Sequence, residues 1–529
     1  MKRPFEAQPQ TNAEQSVVLA VDIGTTSTKA LIVSREGEVH ATHSVKYPLH
    51  VPRPGYAEQD PAQIAEAALE AIRNVMRTAD VQEEQILCVS FSSAMHSLIA
   101  MDASGNPLTS CITWADQRAV HQVNELKANG LGLEIYRRTG TPVHPMSPLY
   151  KIKWMREHDD EVFRQTRKFI GIKEYVCYQW FDQYVIDYSL ASATGLFNLE
   201  QLTWDSEALS VAGIEEGQLS QPVPTTQVLR GMKASVKEQL GLTRDIPVVV
   251  GASDGVLANL GLGILDQQVA AVTIGTSGAV RTTLKKPQTH PQGDLFCYCL
   301  TEDYWVTGGA VNNGGVALQW VQDLLQDEQT SGQAQSSQEK LERLNEWAAE
   351  TAPGADGLLC IPLFTGERAP DYNANARGVF FGLTLSHKQR HMVRAVMEGV
   401  LFQLERVIRS VEQVGGSLTE LRASGGFANS LVWRQMMADI SGVETLIPDE
   451  IESSGLGAAQ LGLFAMGVTS SLDAGWSRQA GSRYTVNADH HEIYTQLLPI
   501  YLGVYERLGD SFEQITAFQK SRYKPQERT

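Results

Sequence analysis

Asp254 and the turn Gly275-Thr276-Ser277-Gly278 each follow an apolar run, residues 246–250 and 269–274. Read as strands, the runs deliver an acid and a glycine–hydroxyl turn to strand ends, where open α/β sheets bind ligands. A second acid, Asp22, closes the β-branched run 17–21 and leads into Gly24-Thr25-Thr26, with Lys29 just beyond. Such turns offer backbone N–H groups and hydroxyls to a phosphate, and a lysine adds a point charge. The chemistry these groups suit is phosphoryl transfer. It needs positioning, Mg2+ and backbone donors to meet the phosphate charge, and an acid to accept the hydroxyl proton. Asp254 is the candidate base. Asp22 is the candidate Mg2+ ligand, because Mg2+ keeps several waters and needs few carboxylates.

Other groups stand at strand ends or helix starts. Met95-His96 follows the apolar run 86–91, where substrate contacts occur, although a single histidine there is as readily a structural one. Trp114, Asp116 and Arg118 offer an aromatic, an acid and a base together, which suits polyol recognition or an ordinary salt bridge. Residues 307–319, TGGAVNNGGVALQ, place four glycines around two asparagines before a helix near Val316. That arrangement lets backbone approach an anion. Residues 424–429, SGGFAN, precede a helix starting near Leu431.

Several chemistries are excluded by pattern. There is no G-x-x-x-x-G-K-[ST], no H-E-x-x-H, no paired Cys/His spacing, and no G-x-G-x-x-G after the first strand. One competing motif is present: Gly251-Ala252-Ser253-Asp254-Gly255 satisfies the nucleophile-elbow pattern G-x-S-x-G of serine hydrolases. It would make Ser253 a nucleophile, with His387, His391, His490 or His491 as partner, and leave the other glycine–hydroxyl clusters without a role.

The elements that must carry these groups are legible in outline. Asp60-Pro61 reads as an N-cap and first helical residue, followed by Ile64, Ala68, Leu69, Ile72 and Met76 at helical spacing. Another helix opens at residues 146–154, and residues 187–198, DYSLASATGLFN, read as a tight loop. Met392, Val396, Val400, Leu401 and Leu404 share one helix face, and residues 492–514 form a closing helix. VLAVDIGTTSTK at 18–29 and AAVTIGTSGAV at 270–280 repeat the order strand, Ile-Gly-Thr, hydroxyls. Two halves of like topology, each lending one phosphate loop to a shared cleft, would produce that echo. The stretch 257–266 then becomes the hinge.

With 529 residues the chain is too long for one ordinary core. Its net charge of -17 argues against nucleic-acid binding. Six scattered cysteines fit reduced thiols in the cytoplasm. No apolar run is long enough for a bilayer, and residues 1–16 read as a disordered leader. Residues 326–338 read as an exposed polar loop and the end of the chain from about Lys520 as a polar tail.

The chain resembles the FGGY carbohydrate kinases, within the actin-like/hexokinase-like ATPase superfamily, over about residues 17–510. Residues 146–158, MSPLYKIKWMREH, and 378–398, GVFFGLTLSHKQRHMVRAVME, are similar to the family's two signatures. Five segments are most similar to bacterial members that act on gluconate: FSSAMHSLIAMD (91–102), ITWADQRA (112–119), RTGTPVHPMSPL (138–149), DYSLASATGLFNL (187–199) and TGERAPDYNANARG (365–378). Ser93-Ala94 and Ser97 stand where the xylulose-phosphorylating members tend to carry Gly and Gln, which weakens xylulose as substrate.

The resemblance implies an α/β fold of two ribonuclease H-like domains, mixed sheets flanked by helices, around a central cleft. The sugar-binding domain would span 17–262, the nucleotide-binding domain 263–515, and a tail 516–529. It implies Asp254 as catalytic base. It implies Asp22, Gly24, Thr25 and Thr26 as one phosphate loop and Gly275 and Thr276 as the other, which Lys29 and Ser277 join by their place in those turns. Gly315, Gln319, Gly426 and Asn429 would lie near the nucleotide and Met95 and His96 at the sugar, where Trp114 and Asp116 are expected from their side-chain chemistry. The expected reaction is ATP- and Mg2+-dependent phosphorylation of D-gluconate at C6, with xylulose or another polyol as the alternative acceptor. A homodimer is compatible. Lys151, Lys153, Lys173 and Arg118 are all open as partners of the substrate carboxylate.

Overall fold

The computed structural model describes residues 16–325, 337–449, 452–473, 476 and 480–522. The leader to residue 15 and most of the polar stretch 326–338 lie outside the described residues.

The first sheet begins with β1 (Val17–Ile23), a run of β-branched and aliphatic side chains buried along its length save for Asp22 near its end. β2 (Ser27–Ser34) returns antiparallel beside it and β3 (Val39–Lys46) follows beside β2. The helix α1 (Pro61–Ala79) starts where Asp60 accepts from Ala62 N–H at 2.8 Å and buries Ile64, Ala68, Leu69 and Ile72. It leads to β4 (Ile86–Ser93), parallel to β1. α2 (Pro148–His158), β5 (Val228–Leu229) and β6 (Val248–Ser253) complete this half, giving the sheet order β5-β6-β4-β1-β2-β3. Because β6, β4 and β1 run parallel, Ser253, Ser93 and Ile23 end side by side.

α3 (Asp254–Gly261) starts directly from β6. The second sheet repeats the plan. β7 (Val269–Ile274), β8 (Gly278–Leu284), β9 (Phe296–Thr301) and β10 (Tyr304–Val311) form its antiparallel part. After α4 (Gly315–Leu324) and the long α5 (Gln389–Gly415), β11 (Glu420–Ser424) pairs parallel with β7. α6 (Leu431–Ser441), β12 (Glu444–Pro448), α7 (Ser453–Ala465) and β13 (Gly481–Tyr484) follow, and the order is β9-β10-β8-β7-β11-β12-β13. An antiparallel run on one side of the central strand and two parallel strands on the other recur in both halves. The echo between residues 18–29 and 270–280 is therefore structural: each segment is the central strand and its first hairpin.

α7 belongs to the second half of the chain yet packs on the first sheet, its Leu456, Ala459, Leu461 and Leu463 sharing a core with Val18, Ala20, Leu31 and Val33. It crosses α3 backbone to backbone. A Cβ on Gly457 would lie 1.9 Å from Leu257 O, and one on Gly261 1.9 Å from Ser453 O. Glycine is needed at both for the helices to touch. This shortens the expected hinge, because residues 257–261 are locked in that crossing. Only 262–268 is irregular, and there Arg422 Nη1 donates to Leu262 O at 2.5 Å and Gly263 O at 3.2 Å.

Two further expectations are corrected. Residues 187–198 are not a plain loop: Asp187 caps a short helix, Tyr188–Ser192, by accepting from Leu190 N–H, and Phe197–Asn198 is a strand. The tail expected from 516 is helical to Arg522 within Gly509–Arg522, because Thr516 is buried and donates to Asn375 O at 2.9 Å. Among the described residues, no helix is long and apolar enough to cross a membrane.

Candidate active site

The parallel strands of both sheets deliver their C-terminal ends to one cavity of about 390 Å³ between the two halves. Asp22 enters it from β1, Asp254 from the step between β6 and α3, Thr273 from β7, and Ser277 and Gly278 from the turn into β8. The local causes are those of strand ends. The side chain alternates to the open face just as the ladder stops.

Burial lifts the Asp254 carboxyl to about 7, and the negative charge of Asp22 adds to the rise. Gly255 N–H, donating to Oδ1 at 2.6 Å, and the Arg281 guanidinium oppose it by favouring the ionised form. An acid so poised is half ionised near neutrality, which suits a general base. Asp22 is held from both halves: Ser92 Oγ donates to Oδ1 at 2.6 Å and Ser454 Oγ to Oδ2 at 2.7 Å. Arg281, on β8, donates from Nη2 to Thr273 Oγ1 at 3.1 Å, while its buried Nε has no partner among the described groups.

The other wall is formed by Met95, His96, Trp114, Met146, Tyr298 and Arg368. His96 sits in the left-handed region at φ 64°, with Nδ1 2.7 Å from Ala193 O. Nδ1 therefore carries the proton and Nε2 is the acceptor. Burial, with Lys151 nearby, lowers the ring to about 3, so it is neutral. Trp114 is fixed by Nε1 donating to Thr25 Oγ1 at 2.9 Å. Lys151, fully buried on α2, donates to His96 O at 2.6 Å, Thr113 O at 2.8 Å and Ile112 O at 3.5 Å. One ammonium, with its three donors, thus staples the loops that carry His96 and Trp114.

Each glycine–hydroxyl turn lends a hydroxyl to the cavity lining, Thr25 from the first and Ser277 from the second. Gly24 N–H donates to Ser27 O at 3.0 Å, closing the first turn beside Thr25, with Thr26 exposed. Gly275 and Thr276 are exposed, and their carbonyls accept from Gly315 N–H at 2.7 Å and Gly314 N–H at 3.1 Å. A Cβ on Gly314 would meet Ser277 at 2.7 Å, so the two glycine clusters fold into one another. Gly426 and Asn429 form an exposed turn after β11, on the same sheet edge. Gln319 points along its own helix to Asp323, at 2.8 Å.

Some expected residues are elsewhere. Asp116 is fully buried and does not line the cavity; it accepts from Ala57 N–H at 2.8 Å and from the Arg118 guanidinium. Lys29 pairs with Glu452 at 2.7 Å instead of standing free for phosphate. Of the four bases open for the carboxylate, none lines the cavity: Lys151 is the staple, Lys153 pairs with Glu125 and Glu157, Lys173 with Asp187, and Arg118 with Asp116 and Glu58. Arg281 and Arg368 are there and were missed. The signal for Arg281 was a lone cation inside the apolar run of β8; that for Arg368 was the cation within TGERAPD.

The hydrolase alternative does not survive the geometry. Ser253 is fully buried and shares a hydrogen bond with Ser189 Oγ at 2.9 Å. His391 faces Asp356, His490 faces Asp439, His491 bonds Asp439 O and His387 bonds Thr384, so none serves Ser253.

Residues 17–261 match the family model described as "FGGY family of carbohydrate kinases, N-terminal domain", and residues 270–466 its C-terminal domain. The chain is 46% identical over 508 residues to a gluconokinase of Bacillus subtilis (strain 168), covering 96% of this chain and 98% of that one. A xylulose kinase of Staphylococcus epidermidis is 28% identical, with 95% and 98% covered. The crystal structure of gluconate kinase from Lactobacillus acidophilus superposes with a TM-score of 0.89 at 34% identity, covering 94% of this chain and 100% of that one.

Proposed function

From the FGGY family of carbohydrate kinases, to which this chain belongs, we propose a gluconokinase that transfers the γ-phosphoryl group of ATP to the C6 hydroxyl of D-gluconate. The observation that carries the substrate is the 46% identity to a gluconokinase over nearly the whole of both chains, against 28% to a xylulose kinase. The observation that carries the chemistry is Asp254, poised near 7 in a cavity between two glycine–hydroxyl turns.

In this reading Asp254 accepts the C6 hydroxyl proton as the oxygen attacks phosphorus in line. His96 Nε2 accepts from a sugar hydroxyl, and Trp114 and Met95 pack the carbon chain. Thr25, Ser277 and the N–H groups of Thr276 and Ser277 approach the phosphates, while Gly315, Gly426 and Asn429 border the nucleoside. The residues fit Mg2+ brought with ATP: Asp22 and Asp254 face one cavity closely enough for Asp22 to raise the Asp254 carboxyl, and a divalent cation relieves that repulsion. Asp22, oriented by two serine hydroxyls, would hold it through water. When bound, Mg2+ neutralises charge on the phosphoryl oxygens. Closure of the halves about residues 262–268 excludes water from the cavity.

We extend the proposal to cytoplasmic location, in keeping with six unpaired, buried cysteines, and to a homodimer, checked by light scattering. Substrate identity is tested by ADP release with gluconate, xylulose, glycerol and ribulose. Gluconate should give the highest kcat/KM; preference for xylulose contradicts the substrate, and release independent of any polyol contradicts the kinase.

A further inference from the structure

The cavity carries two cations with different surroundings. Arg281 is the cation whose charge acts on Asp254, and it is bonded to Thr273. Arg368 acts on His96, Tyr298 and Tyr372. Both line the cavity, Arg281 from β8 and Arg368 beside Trp114.

Arg368 is held and yet unmatched. Its Nε donates to Asn312 Oδ1 at 2.8 Å and its Nη2 to Val311 O at 3.3 Å, both neutral acceptors. Its Cζ lies 5.2 Å from the centre of the Trp114 ring, which leaves the guanidinium facing the sugar wall. The adjoining Glu367 carboxylate accepts from Asn312 N–H, from Arg368's own N–H at 2.7 Å and from Gln403 Nε2; its charge acts on the guanidinium without forming an ion pair with it. No ion pair to Arg368 is formed among the described residues, in a chain of net charge -17. A largely buried guanidinium whose bonded acceptors are all neutral is costly, and its remaining N–H donors form the planar fork that carboxylates fit.

We propose that Arg368 is the specificity-determining residue that receives the carboxylate of the sugar acid within the cavity. The substrate is then read at both ends: charge at Arg368 and the reacting hydroxyl at Asp254. A neutral polyol of equal length leaves Arg368 unpaired. This inference rests on the gluconate reading above and adds the residue that distinguishes an acid from a neutral sugar.

The test pairs a change in the protein with a change in the ligand. D-gluconate and D-gluconamide, its neutral isostere, are compared by kcat/KM on the wild type, Arg368→Gln and Arg368→Lys. The wild type should favour gluconate by on the order of 10- to 100-fold, the range for loss of a charge-assisted pair. Arg368→Gln should bring the two ligands within about 3-fold. Arg368→Lys keeps the charge without the fork and should fall between; should the Gln variant fail to fold, the Lys variant decides. Full wild-type discrimination in either folded variant overturns the proposal while leaving the gluconate reading intact. Equal use of both ligands by the wild type also overturns it. A wild type that does not phosphorylate gluconate overturns the reading beneath it, which is a different result.

Discussion

Ser454 donates its hydroxyl to Asp22 Oδ2 at 2.7 Å, although the two are separated by 432 residues of chain. Asp22 ends the central strand of the first sheet and Ser454 begins the helix that the second half packs against it. The bond orients the proposed metal-facing carboxylate and ties the two halves at the cavity floor. Ser454→Ala should therefore raise the Mg2+ concentration for half-maximal rate by about 10-fold, as loss of an outer-shell partner does. An Mg2+ dependence identical to wild type would show that the serine only fills space.

The pH dependence follows from Asp254. The base must be ionised, and burial with the neighbouring Asp22 charge holds its carboxyl at about 7. kcat/KM should fall roughly tenfold per pH unit below that value and level off above it. Asp22→Asn removes the charge that raises the carboxyl, so the acidic limb should move to lower pH. A limb near pH 4 in the wild type would place the rate-limiting ionisation elsewhere.

Lys151 is a positioning residue: it does not line the cavity, and acts through the carbonyls of His96, Ile112 and Thr113. Lys151→Met should loosen the sugar loops while sparing the nucleotide turns. The KM for gluconate should rise by about 10-fold or more with the KM for ATP within about 2-fold, at a stability cost of roughly 2–4 kcal/mol for the carbonyls left unpaired. Parallel rises in both KM values would mean a general loss of structure.

Ser253→Ala removes one half of a buried hydroxyl pair with Ser189. It should cost about 1 kcal/mol of stability and leave kcat within a few-fold of wild type. Loss of all turnover in a folded variant would return Ser253 to the chemistry.

Much of this was legible because it is contiguous. Strand, glycine turn and acid lie within ten residues at Asp22 and at Asp254, and the repeat of that order foretold two sheets of one plan. The FGGY resemblance carried the rest of the fold. What stayed hidden depends on side-chain direction. Asp116 lies two residues from Trp114, and only the fold shows that it turns inward to Ala57 while Trp114 faces the cavity. The four bases considered for the carboxylate are all spent on partners brought from elsewhere in the chain. Arg281 and Arg368 reach the cavity from a strand interior and a loop, where sequence gives the charge and not its aim. The helical course of residues 516–522 was hidden because these polar residues are held by Thr516, Gln519 and Lys520 on Asn375 and Arg377, far away in the chain.

The central claim is that Asp254 is the base for phosphoryl transfer, and its removal tests that claim most directly. Asp254→Asn keeps an acceptor for Gly255 N–H and removes the buried charge. Because burial raises the carboxyl from its ordinary 3.8 to about 7, its ionised form destabilises the fold above that range. The variant should therefore be folded and no less stable than wild type at pH 8. Its kcat with saturating ATP, Mg2+ and gluconate should drop by about 10²–10⁴. A folded Asp254→Asn protein with kcat within a few-fold of wild type would contradict the account.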